Sequence, residues 1–144
     1  MTDTVFVLNG PNLNLLGTRE PEIYGSDTLA DIEAMLEEKA KTLGLAITFR
    51  QTNHEGVLVD WLQEAKATGA KAVLLNAAAY THTSIALLDA IKAIGVPVIE
   101  VHLSDPAKRE DFRHISYVGM GAVDEVKGMG ARGYALALEK AAAL

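Results

Sequence analysis

Thr4-Val-Phe-Val-Leu-Asn9 is a short apolar run rich in β-branched residues, and Gly10-Pro11 ends it. It lacks the apolar–polar alternation of a half-exposed strand, so it predicts a strand covered on both faces, as in the centre of a parallel sheet. The residues before it carry no positive charge, and the apolar run is far too short for a signal peptide, which predicts a protein that is not exported.

Downstream, helical and extended patterns alternate. Leu29, Ile32, Leu36, Ala40 and Leu43 recur at helical spacing, with Asp27 available as the cap and Gly44 as the stop. Residues 45–51 place Leu45, Ile47 and Phe49 on one side of a second strand. A helix over 55–68 puts Leu58, Trp61, Leu62 and Ala65 on one side and ends at Gly69; Ala-Val-Leu-Leu-Asn at 72–76 is the third strand. A helix over 84–94 closes at Gly95, and the fourth strand runs over 96–103, with a proline near its start where one is tolerated. Beyond the polar segment 104–114 the pattern weakens to a short fifth strand over 123–127 and a terminal helix over 131–144. Asp124, Glu125 and Lys127 suit the fifth strand to an edge.

This alternation implies parallel strands joined by right-handed crossovers, hence a three-layer α/β sandwich with strand order 2-1-3-4-5. The 144 residues, 49% hydrophobic, make one domain of ordinary size. The chain has no cysteine, which removes thiolate chemistry and cysteine-ligated metals and suits a reducing compartment. Its net charge of −6 disfavours nucleic acid or an anionic membrane surface as the main partner, and no apolar run reaches the ~20 residues of a membrane span, so a cytoplasmic location is expected. An anionic small molecule would need a locally cationic pocket.

In such sheets ligands bind beyond the carboxyl ends of the strands, where the order reverses. The polar residues gather there: Asn9, Asn12 and Asn14 after strand 1, Asn76 and Tyr80 to Thr83 after strand 3, His102, Ser104 and Asp105 at the end of strand 4. One cleft could hold them all; turns and helix caps are the alternative use of such residues. The 17-residue connection over 10–26 exceeds the usual ~2 to 6 and is either disordered or a lid carrying Arg19 and Tyr24, with an ordinary surface loop as the plain alternative. Glu100 and His102, two apart on a strand, leave on the same face, so a carboxylate there would orient the imidazole and raise its basicity; the alternative is a solvent-exposed pair.

Several chemistries are missing. There is no phosphate loop, and the Gly128-Met-Gly-Ala-Arg-Gly133 stretch lies far from strand 1, where a dinucleotide fingerprint belongs. A response regulator would need acids where Asn9 and Asn76 stand. The four histidines show no i, i+4 pairing, which gives a metal site little support, and no lysine follows strands 1, 3 or 4 to form an imine. Tyr, Arg, His, Asn and backbone amides remain, a set suited to moving protons without a cofactor.

Asn9-Gly-Pro-Asn-Leu-Asn-Leu-Leu-Gly17, Arg19-Glu-Pro-Glu-Ile-Tyr-Gly25, Gln51-Thr-Asn-His-Glu-Gly56, Tyr80-Thr-His-Thr-Ser84, Glu100-Val-His-Leu-Ser104 and Arg109-Glu-Asp-Phe-Arg113 resemble type II 3-dehydroquinate dehydratase nearly end to end. The resemblance implies a flavodoxin-like fold, a dodecamer of four trimers, no metal and no cofactor, and loss of water from 3-dehydroquinate to give 3-dehydroshikimate. By motif, Tyr24 resembles the base and Arg19 the lid cation that activates it; a neighbouring cation lowers an acid by about 1 to 3 pKa units, enough to favour a tyrosinate. Asn12 resembles the residue holding a water against the enolate oxygen, and His102 the acid for the departing hydroxyl, oriented by Glu100. Asn76 and the backbone amides of Leu103 and Ser104 resemble the carboxylate site, while His82, Asp89 and Arg113 resemble the groups that recognise ring hydroxyls, Asp89 from a neighbouring subunit. The chain departs from the family where Asn76-Ala-Ala-Ala-Tyr80 replaces a common Asn-Pro-Gly-Ala-Tyr, at Asp105-Pro-Ala-Lys108, and in the charged Asp124-Glu-Val-Lys127. A flavodoxin-like nucleotide- or flavin-binding protein is the alternative of another class, supported by fold analogy alone.

Overall fold

The computed structural model describes residues 2–18 and 20–144, with the backbone alone at Tyr24. Strands β1 (Asp3–Asn9), β2 (Leu45–Gln51), β3 (Ala72–Asn76), β4 (Val98–Val101) and β5 (Asp124–Val126) form a parallel sheet in the order β2-β1-β3-β4-β5. The helices are α1 (Pro21–Tyr24), α2 (Leu29–Leu43), α3 (Glu55–Ala67), α4 (Ile85–Ile94), α5 (Tyr117–Gly121) and α6 (Arg132–Ala142).

The side-chain alternation of β1 explains why its sequence does not alternate. Val5 and Val7 join Leu74 and Ile99 beneath α2 and α6, while Phe6 and Leu8 join Val73, Leu75 and Val98 against α3 and α4. Both faces are covered, so both parities of the strand must be apolar. The three-layer α/β sandwich with strand order 2-1-3-4-5 is therefore the observed fold, with charged β5 at its edge.

Three local expectations are corrected. Helix α2 is capped by Thr28 rather than Asp27, because Thr28 and Asp31 form a reciprocal capping box: Thr28 Oγ1 accepts from Asp31 N at 3.1 Å, and Asp31 Oδ2 accepts from Thr28 N at 3.0 Å. Strand β4 is shorter than 96–103. Its ladder begins after Pro97, and although His102 N still donates to Val126 O at 2.9 Å, the chain turns away at Leu103 and Ser104. The 10–26 connection also has structure of its own, a 3-10 turn at Leu13–Leu15 and the single turn α1, and its first half is tied to the core by buried Leu13 and Leu16. The segment after β4, where the sequence pattern weakens, folds as two 3-10 turns, Pro106–Lys108 and Asp111–Arg113, followed by α5.

Candidate active site

Asn9 and Asn76 end β1 and β3 at the same register, where the sheet order reverses. Both are buried, and Tyr134 of α6 links them: its hydroxyl donates to Asn9 Oδ1 at 2.7 Å and accepts from Asn76 Nδ2 at 2.8 Å. Burial pushes the Tyr134 phenol well above its ordinary pKa, against the opposing Asn76 hydrogen bond, so it stays neutral and able to donate. Asn9 Nδ2 donates to Arg50 O at 3.0 Å, and Asn76 Oδ1 accepts from Ala78 N at 3.1 Å. A side-chain amide carries two N–H donors, so Asn76 keeps one beyond its bond to Tyr134. The exits of β1 and β3 approach so closely that a Cβ on Gly10 would lie 2.5 Å from Ala77 O.

The second cluster stands at the end of β4. His102 Nε2 lies 2.5 Å from Glu100 Oε2, and the two residues are 7% and 2% exposed, which excludes the solvent-exposed alternative. Ser116 Oγ donates to the same carboxylate oxygen at 2.6 Å. Burial would raise the Glu100 carboxyl, but the His102 and Ser116 hydrogen bonds outweigh it and hold the group below its ordinary range. The carboxylate accepts, so His102 carries its proton on Nε2 and is left with Nδ1 for other partners. The His82 ring runs nearly parallel to it, 16° off with centroids 6.3 Å apart, and His82 Nδ1–H donates to Ile115 O at 2.8 Å. Burial pushes the His82 imidazole down, helped by the charges of His102 and Arg113 and opposed by the Ile115 hydrogen bond and Glu100. The neighbouring imidazoles are thus suited to different work, His82 as a neutral hydrogen-bonding group.

These clusters face one cleft, lined by Asn76, His82, His102, Leu103, Ser104 and Arg113 together with Pro11, Leu13, Ala78, Pro106 and Arg109. The carbonyls of Leu103 and Ser104 accept from Gly130 N and Gly128 N, both at 3.0 Å, bonds that do not use their own N–H groups. Arg109 and Arg113, which stand 3.7 and 3.1 Å from Glu110, bring the positive charge to the cleft in a chain of net charge −6, and two imidazoles and an amide add hydrogen-bonding groups. The cleft's volume is about 50 Å³, and it continues into a depression of about 870 Å³ that shares Leu103, Ser104 and Arg109 with it.

A family model described as Dehydroquinase class II matches residues 3–142. The chain belongs to the class II dehydroquinases. It is 58% identical to a 3-dehydroquinate dehydratase of Caulobacter sp. (strain K31), covering 100% of this chain and 97% of that one. It is 62% identical to one of Hyphomonas neptunium, covering 98% and 94%. The crystal structure of type II dehydroquinase from Propionibacterium acnes superposes with a TM-score of 0.95 at 42% identity, covering 100% of this chain and 99% of that one. The family and its flavodoxin-like fold, expected from the motifs, are those observed.

Within this class II dehydroquinase, six of the eleven residues expected at the site share the cleft: Asn76, His82, His102, Leu103, Ser104 and Arg113. Glu100 stands directly behind His102. Asn12 is exposed between Pro11 and Leu13, in a left-handed conformation at φ 69°, with its N–H donating to Asn53 Oδ1 at 3.0 Å. Asp89 is exposed on α4 and does not line the cleft of its own chain. Arg19 and the Tyr24 side chain lie outside the described residues; the α1 neighbours Glu22, Ile23 and Gly25 border a wide depression that shares Leu103, Ser104 and Arg109 with the cleft. The expectation that one cleft holds every polar cluster is corrected for Asn9, whose amide is spent on Tyr134 and Arg50, for Asn14, which accepts from Gln51 Nε2 at 3.4 Å, and for Asn12, Tyr80, Thr81, Thr83 and Asp105, which do not line it.

Sequence reasoning missed four participants. Arg109, 14% exposed in its side chain, lines the cleft beside Ser104; its motif was legible but its role was not separated from that of Arg113. Ser116 and Tyr134 support the site from α5 and α6, where no spacing signal connects them to it. Asn53, readable as part of a turn, accepts from Asn12 N and from Gln51 Nε2 at 3.1 Å, and its carbonyl accepts from Tyr80 OH at 2.8 Å.

Proposed function

We propose that this class II dehydroquinase is a 3-dehydroquinate dehydratase, removing water from 3-dehydroquinate to give 3-dehydroshikimate through an enolate and without a cofactor. The observation that carries the reading is the buried His102–Glu100 couple opening onto a cleft that also holds Arg109, Arg113, Asn76 and the Leu103–Ser104 turn.

The substrate carboxylate docks on the free N–H of Asn76 and the amides of Leu103 and Ser104, a concentrated set of donors for an anion. Tyr24, activated by Arg19, removes a proton from the carbon beside the ketone, and Asn12 holds a water against the enolate oxygen. His102, entering as an imidazolium whose Nε2–H is held and whose charge is balanced by Glu100, then protonates the departing hydroxyl from Nδ1–H and is left as the neutral Nε2–H imidazole. Neutral His82 and cationic Arg113 recognise ring hydroxyls. Asp89 completes the cleft of a neighbouring copy in a trimer, four trimers forming a dodecamer; the exposure of Asp89 away from the cleft of its own chain favours this. The enzyme acts as a single domain in the cytoplasm, within the shikimate route.

Purified protein given 3-dehydroquinate should develop the enone absorbance of the product, with no flavin spectrum, and run at the dodecamer mass under native conditions. Tyr24→Phe should lower kcat by orders of magnitude without loss of fold, whereas wild-type turnover in that variant or in Arg19→Ala would remove these roles. Borohydride should not inactivate the enzyme in the presence of substrate; a trapped lysine adduct would contradict an enolate mechanism.

A further inference from the structure

The geometry points to Ser116 as a positioning residue for the His102–Glu100 couple, with Gly119 on the same turn of α5 making room for the carboxylate. The inference rests on the acid role given to His102 above and concerns what makes that role possible.

Ser116 Oγ donates to Glu100 Oε2 at 2.6 Å, the oxygen that also receives His102 Nε2–H at 2.5 Å. The serine oxygen in turn accepts from Gly119 N at 2.8 Å as the N-cap of α5. A hydroxyl has one proton; with an N–H directed at its lone pair, that proton is free for Glu100. The carboxylate is thereby gripped from two elements, from the end of β4 by His102 and from α5 by Ser116. Glu100 Oε1, also buried, has no partner among the described residues, so nothing else on the carboxylate does this work.

Gly119 is part of the same device. A Cβ there would stand 2.8 Å from Glu100 Oε1 and 3.0 Å from Ser116 Oγ, so α5 comes this close only because the position has no side chain. The preceding residue has the matching task at the other imidazole: Ile115 O accepts from His82 Nδ1. Two consecutive residues thus set the orientation of both cleft histidines, although neither Ile115 nor Ser116 lines the cleft. If the carboxylate were free to turn, the neutral His102 would lose its fixed Nε2–H tautomer, and the imidazolium would lose the aim of its Nδ1–H at the leaving group.

The test uses Ser116→Ala, Ser116→Thr and Ser116→Gly in the full chain. Glycine is nearly as good an N-cap as serine but has no hydroxyl to give Glu100. Ser116→Ala should lower kcat about tenfold with KM changed less than about twofold, Ser116→Thr should recover most of the loss, and Ser116→Gly should be as impaired as alanine although its helix cap is kept. Independently of turnover, nitrogen-15 spectra of the neutral His102 imidazole should show one Nε2–H tautomer in the wild type and the threonine variant, and a mixture in the alanine and glycine variants. Wild-type kcat and tautomer in Ser116→Gly would reduce Ser116 to a helix cap and overturn the inference. Absence of dehydratase activity in the wild type would overturn the proposed function instead, while the tautomer comparison would still decide the role of Ser116.

Discussion

Replacing Tyr134 by Phe removes one oxygen from a side chain with no exposed surface and leaves its ring packing in place. That oxygen serves two buried amides, donating to Asn9 Oδ1 and accepting from Asn76 Nδ2 at 2.7 and 2.8 Å. Each group left unpaired costs about 1 to 3 kcal/mol, so a loss of about 3 kcal/mol is expected once the amides have readjusted. With a urea slope of about 2 kcal/mol per molar, the unfolding midpoint should fall by about 1.5 M, compared at one protein concentration because subunit association adds to apparent stability. Asn76 also loses one of its two anchors, so KM for 3-dehydroquinate should rise several-fold, with a smaller change in kcat. The alkaline limb gives a second check. Burial raises the Tyr134 pKa in the folded state, whereas the unfolded phenol ionises near ~10. This contribution is complete below about pH 10 and is lost as pH rises toward the folded value, a slope that the Phe variant should lack. A midpoint shift under about 0.3 M with unchanged KM would refute the claim that this hydroxyl organises the switch point.

Ala78 holds φ 52°, a left-handed conformation that strains an L-residue. Ala78→Gly should therefore be neutral or stabilising by up to about 1 kcal/mol in urea unfolding, the relief partly offset by the entropy of glycine; a clear destabilisation would show that the methyl is needed where it lines the cleft. Asn53→Ala removes the acceptor that holds Asn12 N, and should lower kcat several-fold while speeding proteolytic cleavage within 10–26; no change in either would make the Asn53 contact incidental. Glu100→Gln should lower kcat by about 10- to 100-fold. It should also flatten the loss of stability in acid: because the folded carboxyl lies below its ordinary range, its contribution is present above about pH 4.3 and disappears as pH falls through the folded value, as denaturation midpoints between pH 3 and 6 would show.

The sheet was legible because its central strands are uniformly apolar and its helices carry an apolar stripe with a glycine stop; Gly44 and Gly95 are left-handed C-caps as read. The Glu100–His102 contact followed from the two-residue period of a strand. What could not be read was support that arrives from distant sequence. Tyr134 lies 125 residues from Asn9, and Ser116 lies 16 from Glu100 across irregular turns, so no local period connects them. The Asp27 cap was misread because neighbouring Asp27 and Thr28 are both good caps, and the choice fell to Asp31 completing a box with Thr28. Asn9 misled for a related reason: the end of a strand at a switch point is where a polar residue meets either a ligand or a buried scaffold, and the partner that decides between them is on α6.

The acid side of the proposed reaction is built from groups fixed by the core. Glu100 and His102 are buried at the end of β4, Ser116 caps the helix that packs on α4, and Asn76 is tied through Tyr134 to α6. The base side belongs to the 10–26 connection, where, among the described residues, Leu13 and Leu16 reach the core and both precede Arg19 and Tyr24. This asymmetry makes stability and turnover separable. Substitutions at Glu100, Ser116 or Tyr134 should change the unfolding midpoint and the kinetics together, because each leaves a buried polar group without its partner. Substitutions at Arg19 and Tyr24, if these act as lid residues, should change kcat while leaving the midpoint within about 0.5 kcal/mol. A Tyr24→Phe protein that unfolded several kcal/mol earlier would place the base in the core and reverse the division.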